Sequence, residues 1–139
     1  MTLKKPVLKK KLSGFTLTEL LVVLVIIGIL VLLALPRLMP LISKAKSTEA
    51  QMQLGHIHAL QKGHFYMYSR YSSDLEEIGF EQVILVTENG TANYQIEIVS
   101  ADASGFIARA TAVVDFDGDG NINVWEIDQE KKLVEIAKD

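Results

Sequence analysis

The 139-residue sequence contains no cysteine. That excludes disulfides, thiol catalysis and cysteine-based zinc sites, so an exported head of this size must be held together some other way. Acids are missing from the first fourteen residues, which carry Lys4, Lys5, Lys9, Lys10 and Lys11 and a charge of +5. Beyond Gly14, nine basic side chains face all 17 acidic ones, a net of −8. An acidic remainder is a poor starting point for nucleic-acid affinity, and no direct nucleic-acid partner is expected. Polar side chains are absent from Leu20 to Leu35, sixteen positions in a row. Also missing are a G-x-S-x-G elbow, a phosphate-cradling glycine loop, a nucleophile–base constellation, an internal repeat and any low-complexity tract. The head is too small to house much of a pocket beside its core, and the chain reads as a non-enzyme.

What is present begins with the apolar run. From Phe15 to Leu35 Glu19 is the only charge. As a helix this stretch covers about 30 Å, the hydrocarbon thickness of a bilayer. A cleaved secretory signal would need a small-residue site after the run, and Pro36, Arg37, Leu38, Met39 and Pro40 offer none. Lysines before the span and acids after it place the leader in the cytoplasm and the head outside. An acid inside a membrane segment costs roughly 2.5–3.5 kcal/mol on insertion scales, so Glu19 needs a partner. Cutting after Gly14 would create one, a free amine at Phe15 one helical turn from Glu19.

The stretch Gly14-Phe15-Thr16-Leu17-Thr18-Glu19-Leu20 and its apolar continuation resemble the class III signal of type IV pilins and pseudopilins. The resemblance implies that a prepilin peptidase cuts between Gly14 and Phe15 and methylates the new amine. It also implies that the Glu19 carboxylate pairs with an N-terminal amine during fibre assembly. In that family a glycine and a proline bracket a part of the helix that loosens in the filament, and Gly28 and Pro36 stand in the matching places. The absence of cysteine departs from the disulfide-closed loop of many adhesive pilins.

After Pro36 and Pro40 the pattern becomes amphipathic, with Leu41, Ala45, Met52, Leu60 and Met67 near one face and Ile42, Glu49, His56 and Gly63 beside it. These spacings predict a helix continuing to about Tyr68, its apolar stripe packed by the C-terminal half. Ser69 to Asp74 reads as a polar loop and Asp74 to Ile78 as a short helical turn before Gly79. Strand-like runs follow at residues 82–87, 94–100, 106–114, 124–127 and 133–136, separated by turn chemistry. The expected fold is α+β: a cleaved basic leader (1–14), a transmembrane or filament-core half helix (15–40), an amphipathic half (41–68) and an antiparallel β-rich head (69–139).

Residues 115–126 match the EF-hand loop pattern. Asp115, Asp117 and Asp119 would present oxygens, Asn121 its backbone carbonyl, and Asn123 would act directly or through water. Glu126 would close the shell, although the strand-like flank leaves open whether it points there. Clustered aspartates repel one another unless a cation sits among them, so a structural Ca²⁺ is expected rather than a solvated Asp-Gly turn. Resemblance adds to this, because cysteine-free major pseudopilins hold their C-terminal loop with calcium. His56, His58 and His64 lack the four-residue spacing of a helical chelate and read as a polar helix face. Phe65, Tyr66, Tyr68 and Tyr71 read as packing at the junction of helix and head, and Trp125 as a core anchor.

Together these residues point to a structural subunit of a type IV pilus-like filament. Its partners would be copies of itself and related pilins, prepilin peptidase, an inner-membrane assembly platform and membrane lipid. The alternative is a pseudopilin driving type II protein secretion. A DNA-uptake fibre subunit and a non-polymerising membrane protein are further readings.

Overall fold

The computed structural model describes residues 13–139, so the lysine cluster of the basic leader lies outside the described residues. One helix, α1 (Leu17–Tyr68), is followed by a 3₁₀ turn (Val86–Glu88) and four strands: β1 (Tyr94–Ala101), β2 (Phe106–Ala112), β3 (Val124–Asp128) and β4 (Leu133–Ala137). The strands form an antiparallel sheet in the order β1-β2-β3-β4. A long N-terminal helix packed against a small antiparallel sheet is the α+β, pilin-like fold expected. The chain divides into two compact units, Met1–Pro36 and Arg37–Asp139.

In the first unit every described residue is exposed, aliphatic side chains included: Leu24 is 62% and Leu32 71% accessible. A window of 18 residues in α1 reaches a mean hydropathy of 3.0 with none of it buried, enough to cross a membrane. This surface finds no burial among the described residues.

The second unit contains all the buried described residues. The buried face of α1 runs Ser43, Ser47, Ala50, Leu54, Ile57, Gln61 and His64, with alternating steps of four and three. This differs from the expected stripe: Leu41 and Met52 are 61% and 71% exposed. The reason lies in the facing surface. Strand β2 turns Phe106, Ala108, Ala110 and Ala112 inward, so the surface facing the helix is mostly small side chains. Ala50, Leu54 and Ile57 fit that surface, with Tyr94, Ile96 and Ile127 completing the core.

Polar side chains on the buried face bond outward to the loops. Gln61 donates to the Ser72 carbonyl (2.6 Å) and accepts from the Ser72 amide (3.0 Å), so its carboxamide acts as a peptide partner for the chain leaving the helix. His64 is also buried, a correction to the polar face expected of the histidines; its Nδ1 lies 2.9 Å from the Arg70 carbonyl. Phe65 stacks on Tyr71 (4.8 Å between centroids) and Tyr71 meets Phe106 (5.1 Å), while Tyr66 and Tyr68 face solvent.

Residues 82–87 form no ladder strand. Gln82 occupies the edge of β1 with its side chain instead, accepting from the Ile96 amide (2.9 Å) and donating to the Tyr94 carbonyl (3.1 Å). One carboxamide there satisfies backbone groups that a fifth strand would have paired. The chain then turns tightly through Gly90, where an added Cβ would fall 1.9 Å from the Ile84 carbonyl oxygen. Only glycine permits that approach.

Candidate functional site

Two regions carry the candidate residues: the start of α1 and the acidic loop between β2 and β3. Residues 13–16 precede the helix without regular structure, and both Gly14 and Phe15 are exposed, Phe15 at 88%. The Gly14–Phe15 bond is therefore accessible to a peptidase. Thr16 then caps α1. Its hydroxyl accepts from the Glu19 amide (3.2 Å), and Glu19 reaches back to accept from the Thr16 amide (2.7 Å) and hydroxyl (2.9 Å). This reciprocal pair is a capping box, readable in the sequence as Thr-x-x-Glu. It places the single acid of the apolar segment at the positive end of the helix dipole, with two donors to its carboxylate. Gly28 has open space around it, and α1 continues through Pro36.

In the loop, Asp115 gathers backbone amides. Its Oδ1 accepts from Gly118 (2.6 Å) and Asp117 (3.2 Å), and its Oδ2 from Gly120 (2.7 Å). Those donors hold the Asp115 carboxyl below its usual range. Gly120 adopts φ +90°, the left-handed turn that lets its amide point inward. Asp139 comes from beyond β4 and accepts from the Phe116 (2.8 Å) and Asp117 (3.2 Å) amides. Carboxylate oxygens of Asp115, Asp117 and Asp139 thereby lie within 4.8 Å of one another. The Asp117 carboxyl is pushed up, first by burial and then by the charges of Asp119, Asp139 and Asp115. Asp119 stands beside the cluster, tied to the amide (2.7 Å) and side chain (2.9 Å) of Asn121.

Asn123 and Glu126 do not join this group. Asn123 is 1% exposed and its Oδ1 accepts from the Tyr94 hydroxyl (2.7 Å) and the Ser47 hydroxyl (3.3 Å). Its Nδ2 donates to Glu135 (2.8 Å) and to the Ala137 carbonyl (3.1 Å). It is a buried hub joining α1, β1 and β4. Burial also pushes the Tyr94 phenol up to about 12. Glu126 lies on β3, where strand alternation turns it to the outer face of the sheet; Arg109 binds it there through Nη2 (2.6 Å) and Nε (2.8 Å). The strand starts at Val124, so the second half of an EF-hand shell has no helix to carry it.

The family model for the prokaryotic N-terminal methylation motif matches residues 9–35, the segment holding Gly14, Phe15, Glu19 and Gly28. Over 67 residues the chain is 42% identical to the type IV major pilin protein PilA of Myxococcus xanthus (strain DK1622). Both matches make the chain similar to type IV pilins at its N-terminal segment. The PilA match takes in 48% of this pilin-like chain and 30% of the relative's length.

Sequence reasoning on this pilin-like chain missed three elements of its sites. The capping role of Thr16 was legible in Thr-x-x-Glu. Asp139 carried no local signal, because its approach to Asp115 depends on the return of β4. Asn123 looked like a loop ligand because a pattern of polar residues does not say which of them is buried.

Proposed function

We propose that this chain is the structural subunit of a type IV pilus-like filament. One observation carries the reading: a prepilin methylation motif heads an apolar helix that finds no burial among the described residues. Such a helix is stable in lipid or against copies of itself. In this reading the chain waits in the inner membrane with its head outside the cytoplasm. Prepilin peptidase cuts after Gly14, and an assembly platform moves the helix from lipid into a fibre. Leaving lipid for a packed core requires every polar group to be matched. Thr16 satisfies Glu19 within one chain, and the methylated Phe15 amine of a neighbour supplies the opposite charge in the filament. No catalytic duty is assigned to the head. The identity to a major pilin favours a surface pilus over a secretion pseudopilus.

The acidic loop suits a structural Ca²⁺. A hard cation prefers several carboxylate oxygens, and Asp115, Asp117 and Asp139 offer them, with Asp119 adjacent. Bound there, the ion would offset two of three crowded charges and tie the loop to the segment after β4, a cross-link in a chain without cysteine. Asn123 and Glu126, each committed to other partners, stay outside the proposed shell.

Mass spectrometry of fibres sheared from cells, beside the membrane fraction, tests the reading. The expected result is a chain beginning at methylated Phe15 in the sheared fibres. Processed chain confined to the envelope would favour the pseudopilin, and uncut chain in both fractions would refute processing at Gly14 and with it the pilin reading.

A further inference from the structure

We propose that in the fibre the cleft beside Phe80 on one copy receives the outer face of β4 from the next copy. The inference rests on the fibre reading above. Within the unit Arg37–Asp139 two apolar patches face solvent on different sides. The first is a cleft of about 370 Å³ where α1 meets the segment after Phe80, lined by Met52, Gln53, His56, Phe80, Glu81 and Val83. Met52 and Val83 are 71% and 54% exposed at its mouth. The second is the outer face of β4, turned away from α1, where Val134 and Ile136 stand side by side with Lys132 leading into them.

The patches match in spacing and charge. Glu81 and Val83 flank Gln82, whose side chain is turned to β1, and both face solvent. Lys132 and Val134 are likewise two residues apart, a spacing that puts extended-chain side chains on one side about 7 Å apart. Lys132 over Glu81 therefore sets Val134 over Val83, with Ile136 continuing along the cleft. Among the described residues neither Glu81 nor Lys132 has an ion-pair partner. On the outer face of the sheet beside β4, Arg109 binds Glu126, and Asp128 accepts from the Glu130 and Lys132 amides. Lys132 lines the β4 patch and Glu81 lines the cleft, so the two surfaces carry opposite charges. Contact between two different patches is heterologous, the kind that repeats into an open filament when its rotation does not close.

The cysteine-free background makes this directly testable in cells that assemble the full chain. Val83→Cys and Val134→Cys are placed together, fibres are sheared and oxidised, and products are separated without reductant. A ladder of dimers, trimers and higher species is expected from the double variant, with no cross-linked product from either single variant. In parallel, Glu81→Lys and Lys132→Glu should each reduce fibre yield several-fold, and their combination should restore it. Fibres that form without the ladder and ignore the charge exchange would overturn the docking and leave the fibre reading intact. Dimers from a single variant would point to a twofold contact and also overturn it. Failure of the unmodified chain to form fibres at all would remove both.

Discussion

Asn123 separates two accounts of the acidic loop, because the sequence pattern makes it a cation ligand and the structure makes it a buried hub. Replacing it by alanine removes four hydrogen bonds. Their losses are unequal. Ser47 keeps a bond to the Ser43 carbonyl (3.0 Å), and Glu135 is half-exposed and can recruit water. The Tyr94 hydroxyl, on a residue with no exposed surface, loses its acceptor, and the Ala137 carbonyl loses a donor. At about 1–3 kcal/mol for each buried group left unsatisfied, the expected cost is about 2–6 kcal/mol. Against a typical domain stability of about 5–15 kcal/mol this is a large fraction. Urea unfolding of a fragment beginning at Arg37, which retains every buried residue, measures it in excess chelator. A cycle with Tyr94→Phe should show coupling of at least about 1 kcal/mol, since the second change removes the donor stranded by the first. An Asn123→Ala fragment as stable as its parent in chelator, but deaf to added calcium, would refute the hub and restore the ligand.

Other perturbations test neighbouring parts of the argument. Because the Tyr94 phenol titrates near 12 in the fold against an ordinary 10, the folded state keeps a proton that the unfolded chain loses. The associated stability is complete below pH 10 and disappears as pH rises from 10 to 12, a loss of up to roughly 3 kcal/mol that Tyr94→Phe should abolish. Unchanged alkaline melting between parent and variant would exclude this linkage. Asp139→Asn should remove most of any calcium-dependent rise in melting temperature. Glu126→Gln should leave that rise untouched while costing under about 1 kcal/mol from its partly exposed pair with Arg109. The reverse pattern, seen by calorimetry with and without calcium, would mean an EF-type shell. Gly90→Ala forces backbone apart at Ile84 and should cost about 3 kcal/mol; a melting shift under about 2 °C would show that the turn relaxes freely.

Much of the fold was legible because long periodic segments leave little choice. The apolar run, a helix ending at Tyr68 and four of the five strand-like runs follow from side-chain period and turn residues. Which face of the helix is buried did not follow. Leu41, Met52 and Met67 outrank Ser43, Ser47 and Gln61 on any hydropathy scale, yet they are the exposed ones. The surface of β2 facing the helix is mostly alanine, and the polar side chains of the buried helix face find partners among Asn123 and Ser72. The fifth run fails for a related reason. Its apolar residues suit a strand, but the carboxamide of Gln82 supplies the bonds at the edge of β1. Residue type could not reveal that Asp139 rather than Glu126 stands beside Asp115, because the return of β4 fixes the first and the pleat of β3 the second.

The capping box at Thr16 bears on how an acid can reside in an apolar segment at all. An unpartnered carboxylate in hydrocarbon costs several kcal/mol, and no basic side chain stands among the described residues of the first unit to offset it. Two donors from Thr16, together with the helix N-terminus, offset part of that cost before any neighbour arrives. A carboxylate accepts more bonds than these, so pairing with an incoming amine need not first break the cap. If the two act together, Thr16→Ala should lower fibre yield without changing cleavage at Gly14, and Thr16→Ser should restore it. Cleavage and fibre yield falling together in Thr16→Ala would instead place Thr16 in recognition by the peptidase.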